Sequence, residues 1–169
     1  MNRMFRNILN CIVIIIVQIV VLNNVNILGH LCPYLYLLCV MMLPINLHGS
    51  LIMLYSFMLG LVIDLFCGTL GLHAASTVAM GAVFKLTTHA FHGRNDTKPG
   101  TVTDINTVGT NTYILFTLCL VSVHHVLLFF LDTFSFNHFF TTLKYALLNV
   151  VLTSSVIIFC QLIFRHKKK

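Results

Sequence analysis

Asp64 lies within the apolar run FMLGLVIDLFCGTLGLHAA, residues 57–75. Gly60 and Gly68 stand four positions to either side of it. On a helix such steps put all three residues on one stripe. The glycines remove bulk one turn above and one turn below the acid. A neighbouring helix can then approach closely, as small-xxx-small faces do in membranes. A charge at the bilayer centre costs about 2.5–3.5 kcal/mol on insertion scales, so it faces a bundle interior and finds a partner. Candidate partners are a histidine, a lysine, or the turn near His73. In that setting Asp64 caps the following helix or holds two helices together. Contact with a partner protein and a role in transport are the alternative readings.

Four further ionisable residues fall in or beside apolar runs: His124, His125, Asp132 and Lys144. At 1.5 Å per residue, Asp64 counts to about 20 Å above the inner face from Leu51. His124 and His125 count to about 17–18 Å from Tyr113. Lys144 enters from the outer side, and Asp132 ends an apolar run at the outer edge. A polar layer in the outer half of the bilayer is the expectation. Adjacent helical residues point about 100° apart, so the two histidines are expected to serve different sites. One would bond a neighbouring helix and the other would sit near lipid or a polar edge. Metal-binding pairs on one helix want i, i+4 spacing, so no metal is expected here.

Much chemistry is missing. The chain has no Glu, and its four acids, Asp64, Asp96, Asp104 and Asp132, are far apart in sequence. No H-E-x-x-H zinc site, G-x-S-x-G elbow or glycine-rich phosphate loop is present. An intramembrane aspartyl pair would need Asp132 beside Asp64, but Asp132 falls at the membrane edge. The sequence predicts neither an enzyme nor a bound cofactor.

The elements that must position these residues are membrane helices. Hydrophobic residues make up 58% of the chain and charged residues 8%, against about 25% charged in a soluble domain. Lipid must therefore be the solvent for most of the surface. A single membrane domain over 1–169 is expected, all-α, as a six-helix transmembrane bundle with both termini cytoplasmic. The spans are about 5–22, 31–47, 51–66, 72–89, 112–131 and 140–164, each near the length that crosses a bilayer. The first is read as an uncleaved span, because no small-x-small cleavage site follows it. The second is short and carries Pro33 and Pro44, so tilting or re-entry are the alternatives. The polar stretch 93–111 is expected to be a mobile cytoplasmic loop.

Basic residues set the orientation. With both termini inside, Arg3, Arg6, Arg94, Lys98, Arg165, Lys167, Lys168 and Lys169 face the cytoplasm. The basic tail then anchors against anionic headgroups. Topology thus accounts for the net charge of +6, and nucleic-acid binding has no support. The six cysteines lack C-x-x-C spacing and read as small buried hydrophobes. In the fourth span Gly71, Ala75 and Ala79 recur at four-residue steps, a close-packing face expected to meet the third helix or, alternatively, another membrane protein.

The pattern Gly60, Asp64, Gly68, Gly71, His73, Ala74, Ala75 resembles the rod-shape-determining MreD family. A second patch, HHVLLFF at 124–130 followed by DTFSF at 132–136, is similar to Gram-negative members. The resemblance covers roughly 51–165, and the first third matches only in hydrophobicity. It implies a multi-pass protein of the bacterial cytoplasmic (inner) membrane. It implies MreC as a direct partner, with MreB, RodA and a penicillin-binding transpeptidase reached through the complex. The implied role is a scaffold organising lateral peptidoglycan synthesis, on a six-helix arrangement like that of vitamin-transporter subunits. A small solute-binding subunit of a transporter is the alternative from another class.

Overall fold

The computed structural model describes residues 3–25, 31–92, 100–133 and 138–166. The expectations for Arg94, Asp96, Lys98, Lys167, Lys168, Lys169 and residues 134–137 lie outside them, as do the side chains of Arg3, Arg6 and Arg165.

The described residues are helical without strands. In order they form α1 (Arg3–Val20), α2 (Leu37–Met41), α3 (Gly49–Cys67), α4 (Leu72–His92), α5 (Ile105–Val108), α6 (Thr110–Thr133) and α7 (Phe139–His166). Four of these, α1, α3, α6 and α7, are long and apolar enough to cross a membrane. In lipid, backbone groups must be paired within the segment, which is why long apolar runs become helices.

α3 and α4 form a tight antiparallel hairpin, as a short connection dictates. Gly49 lies beside Lys85, Ser56 beside Gly81, and Gly60 beside Ala74, so the pairing runs from end to end. α4 therefore climbs the full height of α3. Its hydroxyls fold back onto its own turns. Ser76 donates to the Leu72 carbonyl (2.8 Å), Thr77 to His73 (2.6 Å) and Thr87 to Val83 (2.8 Å). α6 packs between α4 and α7. Its buried residues are Tyr113, Phe116, Thr117, Leu120, Val121, His124, His125 and Leu128, one inward stripe at helical spacing.

The expected second span is corrected. Residues 31–36 are non-helical, α2 is only 5 residues long, and turns follow to Leu47. The chain nevertheless runs the height of the hairpin through its centre. At one end Cys32 Sγ bonds the Leu22 carbonyl (3.3 Å), and nearby Asn23 donates to Cys67 at the top of α3 (3.3 Å). At the other end Ile45 N–H donates to Thr101 O (2.9 Å), and Pro44 bridges Val102. Leu35 to Met41 are all buried. Pro33 and Pro44 bracket the stretch, remove two donors and disfavour a continuous helix. Non-helical backbone at this depth is tolerated only when enclosed by protein, and here it is enclosed.

Part of the stretch expected to be a mobile loop is also folded. Asp104 caps α5, accepting from Asn106 N and Thr107 N at 2.9 Å each, and Thr107 Oγ1 accepts from Asp104 N. Ile105 is buried in the core, and α6 starts at Thr110.

Candidate functional site

Asp64 is 3% exposed and sits one turn before the end of α3. Gly68 ends that helix in the left-handed region (φ 69°), where glycine carries no steric penalty. Gly71 (φ 80°) completes the turn. The chain folds back so that the first turn of α4 meets the carboxylate. Oδ1 accepts from His73 N–H (3.0 Å) and from the Thr69 hydroxyl, and Oδ2 accepts from Ala74 N–H (2.9 Å). The first amides of a helix lack intrahelical partners and carry partial positive charge, so an acid there satisfies both needs. Asp64 caps α4 from the neighbouring helix. Its hydrogen bonds come from the α3–α4 turn and not from a lysine or an imidazole; His73 contributes its backbone.

The three glycines near Asp64 do different jobs. A Cβ on Gly60 would collide with Ala74 Cα and lie 2.7 Å from its N and 2.8 Å from the His73 carbonyl. Gly60 is thus the close-approach residue. A Cβ on Gly68 or Gly71 would meet nothing within 4 Å, so these two serve backbone conformation. This corrects the expectation that Gly68 clears space for a neighbour. A second close approach pairs Gly81 with Ser56, one turn before Gly60, where a Cβ would lie 3.1 Å from Ser56 Cβ.

Polar side chains from the flanking helices feed the enclosed backbone of 32–36. Gln18 of α1 donates to Pro33 O (3.3 Å) and accepts from Tyr36 N–H (3.3 Å). On α7, Asn149 accepts from Cys32 N–H (2.9 Å) and Thr153 Oγ1 from Tyr34 N–H (3.2 Å). Gln18 and Asn149 are fully buried. Without these groups the extended stretch would leave amides unpaired in the core, a cost of about 1–3 kcal/mol each. None of the three was singled out from sequence. Their signal is a lone amide or hydroxyl in an otherwise apolar run.

The extended stretch carries Tyr34 and Tyr36 into a cluster of three histidines. Tyr36 Oη lies 2.8 Å from His124 Nε2, 3.1 Å from His73 Nδ1 and 3.3 Å from Thr77 Oγ1. His125 Nδ1 lies 2.9 Å from Val121 O, and its Nε2 3.1 Å from Thr153 Oγ1. The Tyr34 ring sits 5.1–6.0 Å from the three imidazole centroids. The expectation that His124 and His125 serve separate environments, one of them near lipid, is corrected. Both are fully buried, with ring centroids 5.2 Å apart. The enclosed chain fills the angle between them. Asp132 and Lys144, expected to share a polar layer with these histidines, are instead exposed on the flanks of α6 and α7.

The expected α4 packing face is rotated. Ala74 and Gly81 meet α3, whereas Ala75 is exposed and Ala79 lines an open apolar crevice of about 640 Å³. Ser122, Val123, Val126, Leu127 and Phe130 of α6 form its other wall. A smaller crevice of about 370 Å³ lies on the surface of α7, lined by Phe140, Leu143, Lys144, Leu147, Leu148 and Val151. No cluster suited to a metal ion occurs among the described residues. All six cysteines are free thiols. Comparison with protein-family models, with characterised proteins and with solved structures yields no match.

Proposed function

We propose that this chain is a non-catalytic membrane scaffold of the bacterial cell-wall elongation complex, seated in the inner membrane. The observation that carries this reading is the use of its polar groups. Each Asp64 oxygen accepts from the chain's own donors. The histidines are packed against tyrosines in the core. Catalysis and solute binding need convergent polar groups that reach a substrate. Here the outward surface is apolar instead, with the crevice beside Ala79 on one flank. Such a surface suits contacts with lipid and with other membrane helices. The resemblance to the MreD family names the partners: MreC directly, and MreB, RodA and a transpeptidase through the complex.

Six crossings with both termini in the cytoplasm fit this reading. α1, α3, α6 and α7 supply four, α4 a fifth, and the enclosed chain from Cys32 to Ile45 the sixth. The basic residues then collect inside.

Depletion tests the role. It should turn rod-shaped cells round and release MreB from its membrane patches, and tagged protein should co-purify MreC. Normal shape together with loss of uptake of one nutrient would favour the transporter reading. That reading draws on one observation, the interrupted chain at the bundle centre, a recurrent feature of transporters.

A further inference from the structure

Donor and acceptor roles fix the protons on His124 and His125. Thr77 spends its proton on the His73 carbonyl (2.6 Å), so it can only accept from Tyr36. Val121 O can only accept, so His125 carries its proton on Nδ1. His125 Nε2 then accepts from Thr153, which in turn accepts from Tyr34 N–H. Tyr36 has one proton and three possible acceptors, His73 Nδ1, His124 Nε2 and Thr77 Oγ1. If it donated to His124, the His124 proton would sit on Nδ1, a buried atom without a partner. A stranded donor costs more than a stranded lone pair on an aromatic nitrogen. The arrangements that avoid it have His124 Nε2–H donating to Tyr36 Oη, with the Tyr36 proton going to His73 Nδ1 or to Thr77 Oγ1.

One acceptor is left over. His124 Nδ1 is fully buried and makes no hydrogen bond. We infer that His124 Nδ1 is a proton-binding site whose occupation releases the enclosed segment 32–36 from the bundle. The closed packing cannot house the cation that protonation creates. The facing groups are Tyr34 and Tyr36 on the segment, His73 on α4 and His125 on α6; α1 and α7 present Gln18, Asn149 and Thr153, which do not titrate. On α3, Asp64 is engaged with Thr69, His73 N and Ala74 N. Asp132 is exposed about two turns beyond His124 on α6. No anion is placed to pair with a charged His124. A buried unpaired charge is costly, so the proton and the closed packing exclude each other. Moving Tyr36 and its neighbours outward admits water and accommodates the charge. Proton uptake therefore pulls the equilibrium toward the open form, because only that form binds the proton.

Amide hydrogen exchange on the full-length protein in lipid nanodiscs tests this. The readout is the peptide spanning 32–36, corrected for the intrinsic pH dependence of exchange. In the open form the imidazole is hydrated, and a hydrated imidazole takes up a proton at about pH 6.5. Below that pH the opening constant should rise by up to about tenfold per pH unit, one proton per opening. His124→Gln keeps an N–H donor for Tyr36 but takes up no proton, so its opening should be flat with pH. His48→Gln, at an exposed histidine, should keep the wild-type slope. A flat wild-type profile, or a slope unchanged in His124→Gln, overturns the inference. A slope that survives His124→Gln and disappears in His73→Gln overturns the assignment to His124. If His124→Gln fails to fold, imidazole ¹⁵N signals of the wild type decide. His124 should be neutral, protonated on Nε2, wherever the segment is protected. A charged His124 in the protected form contradicts the inference.

Discussion

Removing the Asp64 carboxylate should loosen the α3–α4 hairpin in a graded way. Asp64→Ala deletes three accepted hydrogen bonds, from Thr69 Oγ1, His73 N and Ala74 N. Loss of an N-terminal cap costs about 0.5–2 kcal/mol, and a buried donor left unpaired about 1–3 kcal/mol. Two amides are stranded, and the turn can relax in part, so Asp64→Ala should cost about 2–4 kcal/mol. Asp64→Asn keeps one acceptor oxygen and turns the other into a donor, so it should cost about 1–2 kcal/mol. Thr69→Val removes the hydroxyl alone and should cost about 1 kcal/mol. In the double mutant Asp64→Ala/Thr69→Val the second change should add little, because its partner is already gone. Reversible unfolding in mixed micelles, followed by circular dichroism, gives the ranking. If Asp64→Ala stays within about 0.5 kcal/mol of wild type, the capping argument is refuted. A ranking with Thr69→Val as the most damaging change would refute it too.

The same assay separates the glycines. Gly60→Ala should be the most damaging, because its Cβ meets the Ala74 backbone, whereas Gly68→Ala should cost only about 1–2 kcal/mol of left-handed strain; equal costs would contradict the division. Lys144→Ala should change stability by less than about 0.5 kcal/mol, since Lys144 is exposed; a larger loss would revive it as a partner within the polar layer. Gln18→Leu leaves Pro33 O and Tyr36 N–H without their side-chain partner, so the 32–36 amides should exchange faster at every pH; unchanged protection would show that the amide of Gln18 is not needed.

The helices and the acid were legible from the sequence, and the chain between α1 and α3 was not. Long apolar runs dictated α1, α3, α6 and α7. Glycines at 68 and 71 marked the turn that brings Asp64 to α4. Residues 31–47 are as apolar as a spanning helix, because a chain buried by protein on all sides needs the same side chains as one facing lipid. Only Pro33 and Pro44 betrayed the difference. The groups that satisfy its backbone come from Gln18, Asn149 and Thr153, at sequence separations of 15 to 119 residues. Such pairings leave no local periodicity. The α4 face departs from its small-residue pattern for a related reason. The Asp64 carboxylate fixes the amides of His73 and Ala74, and that sets the rotation of α4. Ala74 then meets Gly60, and Ala75 turns outward.

Reporter fusions in cells test the threaded bundle most directly. Phosphatase fused after Asn24 or Thr69 should be active, on the outer side. Fused after Asn46 or Gly100, it should be silent. Activity after both Asn24 and Asn46 would put the two ends of the enclosed chain on one face of the membrane and contradict the account.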